Sequence, residues 1–157
     1  MKTYIVLENI RSAFNVGNVI RTADALGFDV ILSGYTPSPF EDDKVKKSSL
    51  GAENNIQILQ FRDTKETIDY LKSKGYNIFS AEITNDAVPL NNYFHVAGDS
   101  KKVAIVFGNE VSGVLPQTLD NVDKIFYIPM NGIKESLNIG QSAAIFMREI
   151  YKTIHKL

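Results

Sequence analysis

The sequence predicts a single three-layer α/β domain with a mainly parallel sheet, doubly wound or of a related type. Three observations carry that prediction. Apolar, β-branched runs recur along the chain, and several are apolar on both faces, as central strands covered by helices on each side are. Segments of helical spacing alternate with these runs. With 157 residues and 44% hydrophobic content, one domain spanning 1–157 can bury roughly 70% of its unfolded surface.

In chain order, strands are predicted over Thr3 to Leu7, Asp29 to Leu32, Ile56 to Leu59, Asn77 to Ala81, Val103 to Phe107 and Lys124 to Ile128. Between the first two, Val16 to Leu26 reads as a helix, capped by Asn15 and stopped at Gly27. A second helix follows Thr64, turns Ile68 and Leu71 inward and ends at Gly75. Leu115 to Asn121 reads as a short helix with Pro116 in its first turn. The last helix runs from about Leu137 to His155, its apolar residues, Phe146 among them, at i, i+4, i+7 spacing. Tyr35 to Glu53 is an excursion over the surface with a short helix, and Asp86 to Lys102 is a second irregular stretch.

Composition excludes several chemistries. The chain has no cysteine, which removes disulfides, thiolate zinc sites and thiol nucleophiles together. The apolar run after Met1 meets Glu8 and Asn9 too soon for a signal segment or a membrane span, so a cytoplasmic protein with no membrane role is expected. A net charge of −1 gives no global field toward a polyanion, and any nucleic-acid contact must use a local patch. Lys44, Lys46 and Lys47 are candidates, though Glu41, Asp42 and Asp43 beside them equally suit a solvated mixed-charge face. His95 and His155 have the spacing of neither a metal pair nor a triad base. Gly108 and Gly113 suggest a phosphate loop, but Val114 and Leu115 stand where Lys and Ser or Thr are required, and no G-x-G-x-x-G follows a predicted strand.

Three segments share one grammar, a polar, glycine-punctuated loop after a strand or at the start of a helix. They are Asn15-Val16-Gly17-Asn18-Val19-Ile20-Arg21, Phe107-Gly108-Asn109-Glu110-Val111-Ser112-Gly113, and Ile128-Pro129-Met130 through Ser136-Leu137-Asn138. Such loops are where open α/β sheets place ligands. The residues on offer are Asn, Arg, Glu, Ser and backbone amides, which orient and polarise reactants and suit chemistry brought by an activated cofactor.

Together these segments, with Ser48-Ser49-Leu50-Gly51-Ala52-Glu53, resemble the SpoU/TrmH family of the SPOUT superfamily, S-adenosylmethionine-dependent RNA ribose 2′-O-methyltransferases. The resemblance covers nearly the whole chain. It implies a C-terminal trefoil knot, an exception to the rule that chains avoid knots. It also implies a homodimer, with S-adenosyl-L-methionine held in the knot, the target ribose approaching across the dimer interface, and no metal. The apolar last helix suits a dimer contact or packing on its own sheet, or both.

By position, the resemblance assigns Phe107, Gly108, Asn109, Ile128, Met130 and Leu137 to the cofactor, with main-chain contacts from Gly108, Ile128 and Leu137. It assigns Arg21, Asn15, Glu110, Ser136 and Asn138 to catalysis and the target nucleotide. A guanidinium resists deprotonation, so Arg21 suits holding a phosphate and stabilising a developing alkoxide, with Glu110 orienting it. Without the resemblance, Arg21 is an exposed helix residue pairing with Asp24 or Asp29, Ile128 and Leu137 are core residues, Glu110 is a solvated loop acid, and Asn15, Ser136 and Asn138 are caps.

The sequence departs from many relatives at Ile139-Gly140-Gln141-Ser142, where the last helix begins. The compact form resembles tRNA-modifying relatives, so tRNA is favoured over rRNA as partner. The other readings are a knotted RNA-binding or assembly factor with little catalysis, and a small-molecule methyltransferase using the same pocket.

Overall fold

Alternation of apolar side chains along β1 (Lys2–Glu8) divides the core into two. In the computed structural model, which describes residues 2–98 and 100–157, Ile5 and Leu7 join one buried cluster and Tyr4 and Val6 the other. The same division holds for β2 (Asp29–Ser33) and β6 (Lys102–Phe107), which flank β1 in register. Ile5 lies level with Val30 and Ile105, and Val6 with Ile31 and Val106. Strands apolar on both faces thus occupy the middle of the sheet.

Strands β3 (Ile58–Phe61), β4 (Asn77–Ala81), β5 (Val88–Pro89) and β7 (Lys124–Tyr127) complete a seven-stranded sheet of order β3-β2-β1-β6-β4-β7-β5, with every pairing parallel. The first cluster takes its helical side from α1 (Ala13–Leu26), α2 (Asp43–Ser49) and α6 (Ile139–His155). The second is covered by α3 (Thr64–Ser73) and the short α5 (Pro116–Leu119), through Ile68, Leu71 and Leu119. The three-layer α/β prediction holds. A further short helix, α4 (Tyr93–Ala97), follows β5.

Several boundaries differ from expectation, each for a local reason. Asn15 is not the cap of α1: Ser12 takes that place, its Oγ accepting from the Asn15 N–H at 3.2 Å, and the helix starts earlier. Gly27 ends it as expected, at φ 76°, its N–H reaching the Ala23 and Asp24 carbonyls. Strand β3 begins at Ile58, two residues late, and β7 stops at Tyr127, leaving Ile128 just beyond the ladder. The last helix starts at Ile139, because the Asn138 Oδ1 accepts from the N–H groups of Gly140 (2.8 Å) and Gln141 (3.4 Å) and caps it. Leu137 and Ser136 lie outside it. The strand β5 escaped prediction, being two residues long with a proline at an edge position.

Gly17 is needed for a close approach. A Cβ there would fall inside the contact distance of the Ser48 hydroxyl and the Val45 carbonyl, so α1 and α2 cross where only hydrogen fits. Ser48 secures the crossing by donating to the Phe14 carbonyl at 3.0 Å. Its neighbour Ser49 donates to the buried Glu53 carboxylate at 2.6 Å. The resembling stretch from Ser48 to Glu53 is thereby accounted for as packing.

Candidate active site

The carboxyl ends of β4, β6 and β7 open onto one cavity of about 440 Å³, closed on its far side by the start of α6. That volume lies within the range of small-molecule sites. Phe107, Gly108, Asn109, Ile128, Met130 and Leu137 all line it, as do Glu110, Ser136 and Asn138. Asn15 and Arg21 do not.

One wall is the loop after β6, and its shape follows from its hydrogen bonds. Asn109 and Gly113 exchange backbone bonds at 3.1 and 2.9 Å, folding the loop back on itself. Gly108 must be glycine, since a Cβ would strike the backbone of Gly113 and Val114. The Asn109 side chain is buried and fully used. Its Oδ1 accepts from the Val111 and Ser112 N–H groups (2.9 and 3.0 Å), and its Nδ2 donates to the Asn9 carbonyl and the Tyr35 hydroxyl (2.8 and 3.0 Å).

Three carboxylates then fasten the same loop. Glu8, fully buried, accepts from the Leu115 N–H at 2.7 Å and the Thr118 hydroxyl at 2.6 Å. Glu82, just past β4, accepts from the Val114 N–H at 3.0 Å and itself lines the cavity. Glu110 accepts from the N–H groups of Arg11 (3.2 and 3.0 Å) and Ser12 (3.0 Å), at the entry to α1. Burial works to raise the Glu110 pKa. The Arg11 and Ser12 N–H groups, its own N–H and the Asn15 side chain outweigh burial and hold the carboxyl below its ordinary value.

These contacts correct the role expected of Glu110. Its carboxylate is committed to the backbone at the start of α1 and does not orient Arg21. Arg21 is exposed on α1, and neither Asp24 nor Asp29 pairs with it: Asp24 accepts from Asn55 and Asp29 faces Lys2. Asn15 is buried, and its Oδ1 accepts from the Asn138 Nδ2 at 3.1 Å. A polar bridge therefore links the last helix to α1 and on to Glu110. Ser136 is exposed at the cavity and caps nothing. Phe146 is buried, edge-on to Phe107 at 5.3 Å, so it belongs to the core and the cavity floor and offers no surface to a second copy.

Sequence reasoning missed Glu8, Glu82, Tyr127, Ser142 and Phe146 as parts of this site. Glu82 carried a signal, an acid immediately after a strand end. Glu8 carried none, because its partners lie more than a hundred residues away.

A parallel α/β fold with a mixed polar and apolar cavity at three strand ends, one of whose walls is a glycine loop, defines a ligand-binding α/β domain, and comparison with known proteins narrows it. The chain belongs to the SpoU rRNA Methylase family, whose model matches residues 2–148. The trefoil knot is what membership implies for the segment leading into α6. A protein assigned to the TrmH family of tRNA/rRNA methyltransferases in Staphylococcus haemolyticus is 32% identical over 157 residues, 100% of this chain and 61% of that protein. The AdoMet-bound rRNA methyltransferase of Sinorhizobium meliloti superposes with a TM-score of 0.87 at 28% identity, over 99% of this chain and 57% of that one. The chain therefore spans about three fifths of the length of these relatives. A structure from work on 2-OH methylation of C/U34 on tRNA is matched over 98% of its length with a TM-score of 0.87; at 23% identity the likeness concerns the fold.

Proposed function

We propose that the chain is a cytoplasmic, homodimeric S-adenosylmethionine-dependent RNA methyltransferase acting on a ribose 2′-hydroxyl, with tRNA the first substrate to test ahead of rRNA. The observation that carries this reading is the cavity, in which an apolar enclosure, strand-end backbone and two carboxylates converge. The residues fit the cofactor. Ile128, Leu137 and Phe107 suit a flat base, the backbone at Gly108 and Ile128 is clear of the ladder and can read its edge, and Glu82 and Glu110 suit a cationic ligand. Relatives named as an AdoMet-bound rRNA methyltransferase and a tRNA/rRNA methyltransferase support the same chemistry.

When bound, the cofactor supplies a methyl group on a positive sulfur, ready for displacement. The protein's work is then alignment and exclusion of water. Ser136 and Asn138 line the cavity at the end where α6 begins, and Asn15 holds the Asn138 amide in place, so these residues orient the nucleotide. Arg21, exposed and outside its own chain's cavity, acts on a ribose held between two copies, binding phosphate and stabilising the oxygen as it loses its proton.

The test is incubation with radiolabelled S-adenosylmethionine and, separately, unmodified tRNA and rRNA, followed by digestion to nucleosides. A labelled 2′-O-methylnucleoside is expected in the tRNA pool. Base methylation would overturn the ribose assignment, label only in rRNA the substrate, and no label in either the enzyme reading. Arg21→Ala should lower turnover about hundredfold or more with cofactor affinity retained; unchanged turnover removes Arg21 from the mechanism.

A further inference from the structure

Beside the mouth of the cavity the chain exposes aromatic rings and cations that the core and the site leave unused. Tyr35 is 63% exposed, yet its hydroxyl is fixed by the Asn109 amide of the cavity wall at 3.0 Å. Arg11, also exposed, starts the segment whose N–H groups hold Glu110 at the cavity rim. Three residues further on, Phe14 is 65% exposed in the first turn of α1. Its carbonyl accepts from Ser48 of α2, and Lys44 stands one turn before Ser48 on the same side of that helix, with Lys47 one turn from Lys44. Phe14 also shares a stripe of α1 with Asn18 and Arg21.

Exposed aromatic faces next to a ligand cavity are where binding partners find apolar contact. The cations here are uncommitted. Among the described residues Arg11, Arg21, Lys44 and Lys47 form no ion pair, whereas Lys2, Arg62, Lys65 and Lys152 do. Of the neighbouring acids, Asp42 is taken up as the cap of α2, accepting from the Lys44 N–H at 2.9 Å, while Glu41 and Asp43 are exposed beside the same lysines. Exposed rings on a turn and on the first turn of α1, with cations before α1 and on the adjoining α2, match the flat bases and charged phosphates of an unpaired strand. A second copy of the chain docked two-fold on this face would press Arg11, Lys44 and Lys47 toward their own counterparts, which like charges oppose.

We propose that Tyr35 and Phe14, flanked by Arg11, Lys44 and Lys47, form a stacking platform for unpaired RNA, holding single-stranded nucleotides next to the one that enters the cavity. This rests on the methyltransferase reading and adds to it a substrate form: the target lies in a loop or an open strand, and a duplex does not fit.

The test measures binding of a short, unstructured, fluorescein-labelled RNA by anisotropy, beside the same strand in a blunt duplex, with sedimentation of each protein. Phe14→Ala should weaken single-strand binding roughly tenfold, and Phe14→Tyr should restore it. Lys44→Glu with Lys47→Glu should weaken binding and flatten its salt dependence. Duplex RNA bound as tightly as the single strand, or Phe14→Ala binding like the parent, overturns the platform. A changed sedimentation coefficient for Phe14→Ala also overturns it and makes the face a contact between copies. Methyl transfer by the parent protein to unmodified tRNA, read in parallel, separates the two ideas: if transfer persists while Phe14→Ala binds normally, only the platform fails.

Discussion

The two walls of the cavity are built in opposite ways. The loop from Gly108 to Leu115 is held by its own backbone pair, by Asn109 and by three carboxylates, Glu8 and Glu82 from elsewhere in the chain and its own Glu110 reaching the start of α1. Facing it, Pro129 to Leu137 make no hydrogen bond among the described residues, and 131–138 are exposed throughout. One wall is finished by folding. The other has backbone donors and acceptors left for solvent or a ligand, as loops at the low end of local stability that serve as binding elements do.

The largest test of this contrast is Gly108→Ala. The added methyl meets the Gly113 and Val114 backbone, which cannot yield as a side chain tip would. A strain of about 3 kcal/mol or more is expected, or roughly hundredfold in cofactor affinity by calorimetry if it falls on binding. Unaltered affinity and stability would show that the loop is not rigid. Next, Glu8→Ala leaves the half-buried Leu115 N–H and the buried Thr118 hydroxyl without their acceptor and should cost about 3 kcal/mol in urea unfolding. A loss below about 1 kcal/mol would mean that water replaces the carboxylate.

Hydrogen exchange sharpens the comparison with a smaller effect. Amides from Val111 to Leu115 should be protected in the free protein and change little with S-adenosylmethionine, while those from Asn131 to Asn138 should slow about tenfold or more on binding. Equal protection of both walls before cofactor is added would remove the distinction. The smallest effect belongs to Glu110. Its folded pKa lies below its unfolded value, so its contribution is complete above the ordinary carboxylate range and fades as pH falls through the depressed value. Glu110→Gln should cost about 1 kcal/mol or less near neutrality, given the exposure of the group, and nothing in strong acid. A cost that does not shrink on acidification would show that charge is not what fastens α1 to the loop.

The same contrast marks what could be read from sequence. Strand positions were legible because Tyr4 to Leu7 and Val103 to Phe107 are apolar on both faces, as strands buried between two helical layers must be. The cavity was legible because polar, glycine-punctuated segments follow strand ends, and Gly108, Ile128 and Leu137 within it because those segments resemble a known family's motifs. What escaped depends on distant partners. Spacing cannot say that Glu110 faces Arg11 and Ser12 in place of Arg21, or that Glu8 reaches Leu115 across the sheet. Nor can it separate core from contact on one helix, where Phe146 follows the same periodicity whether it meets Phe107 or a second copy. Asn15 shows a subtler limit: a good capping residue lost the position to Ser12 three places earlier and took up a side-chain bond to Asn138.

The two-residue β5 closes one margin of the sheet, with Pro89 at its end. A margin so short, missing one N–H, gives an approaching strand almost nothing to zip onto. Copies of this chain cannot grow a continuous ribbon through that side, and runaway end-to-end polymerisation is discouraged there. The opposite margin, β3, is a four-residue strand paired only with β2, so the two edges of the sheet differ in what they offer an approaching chain.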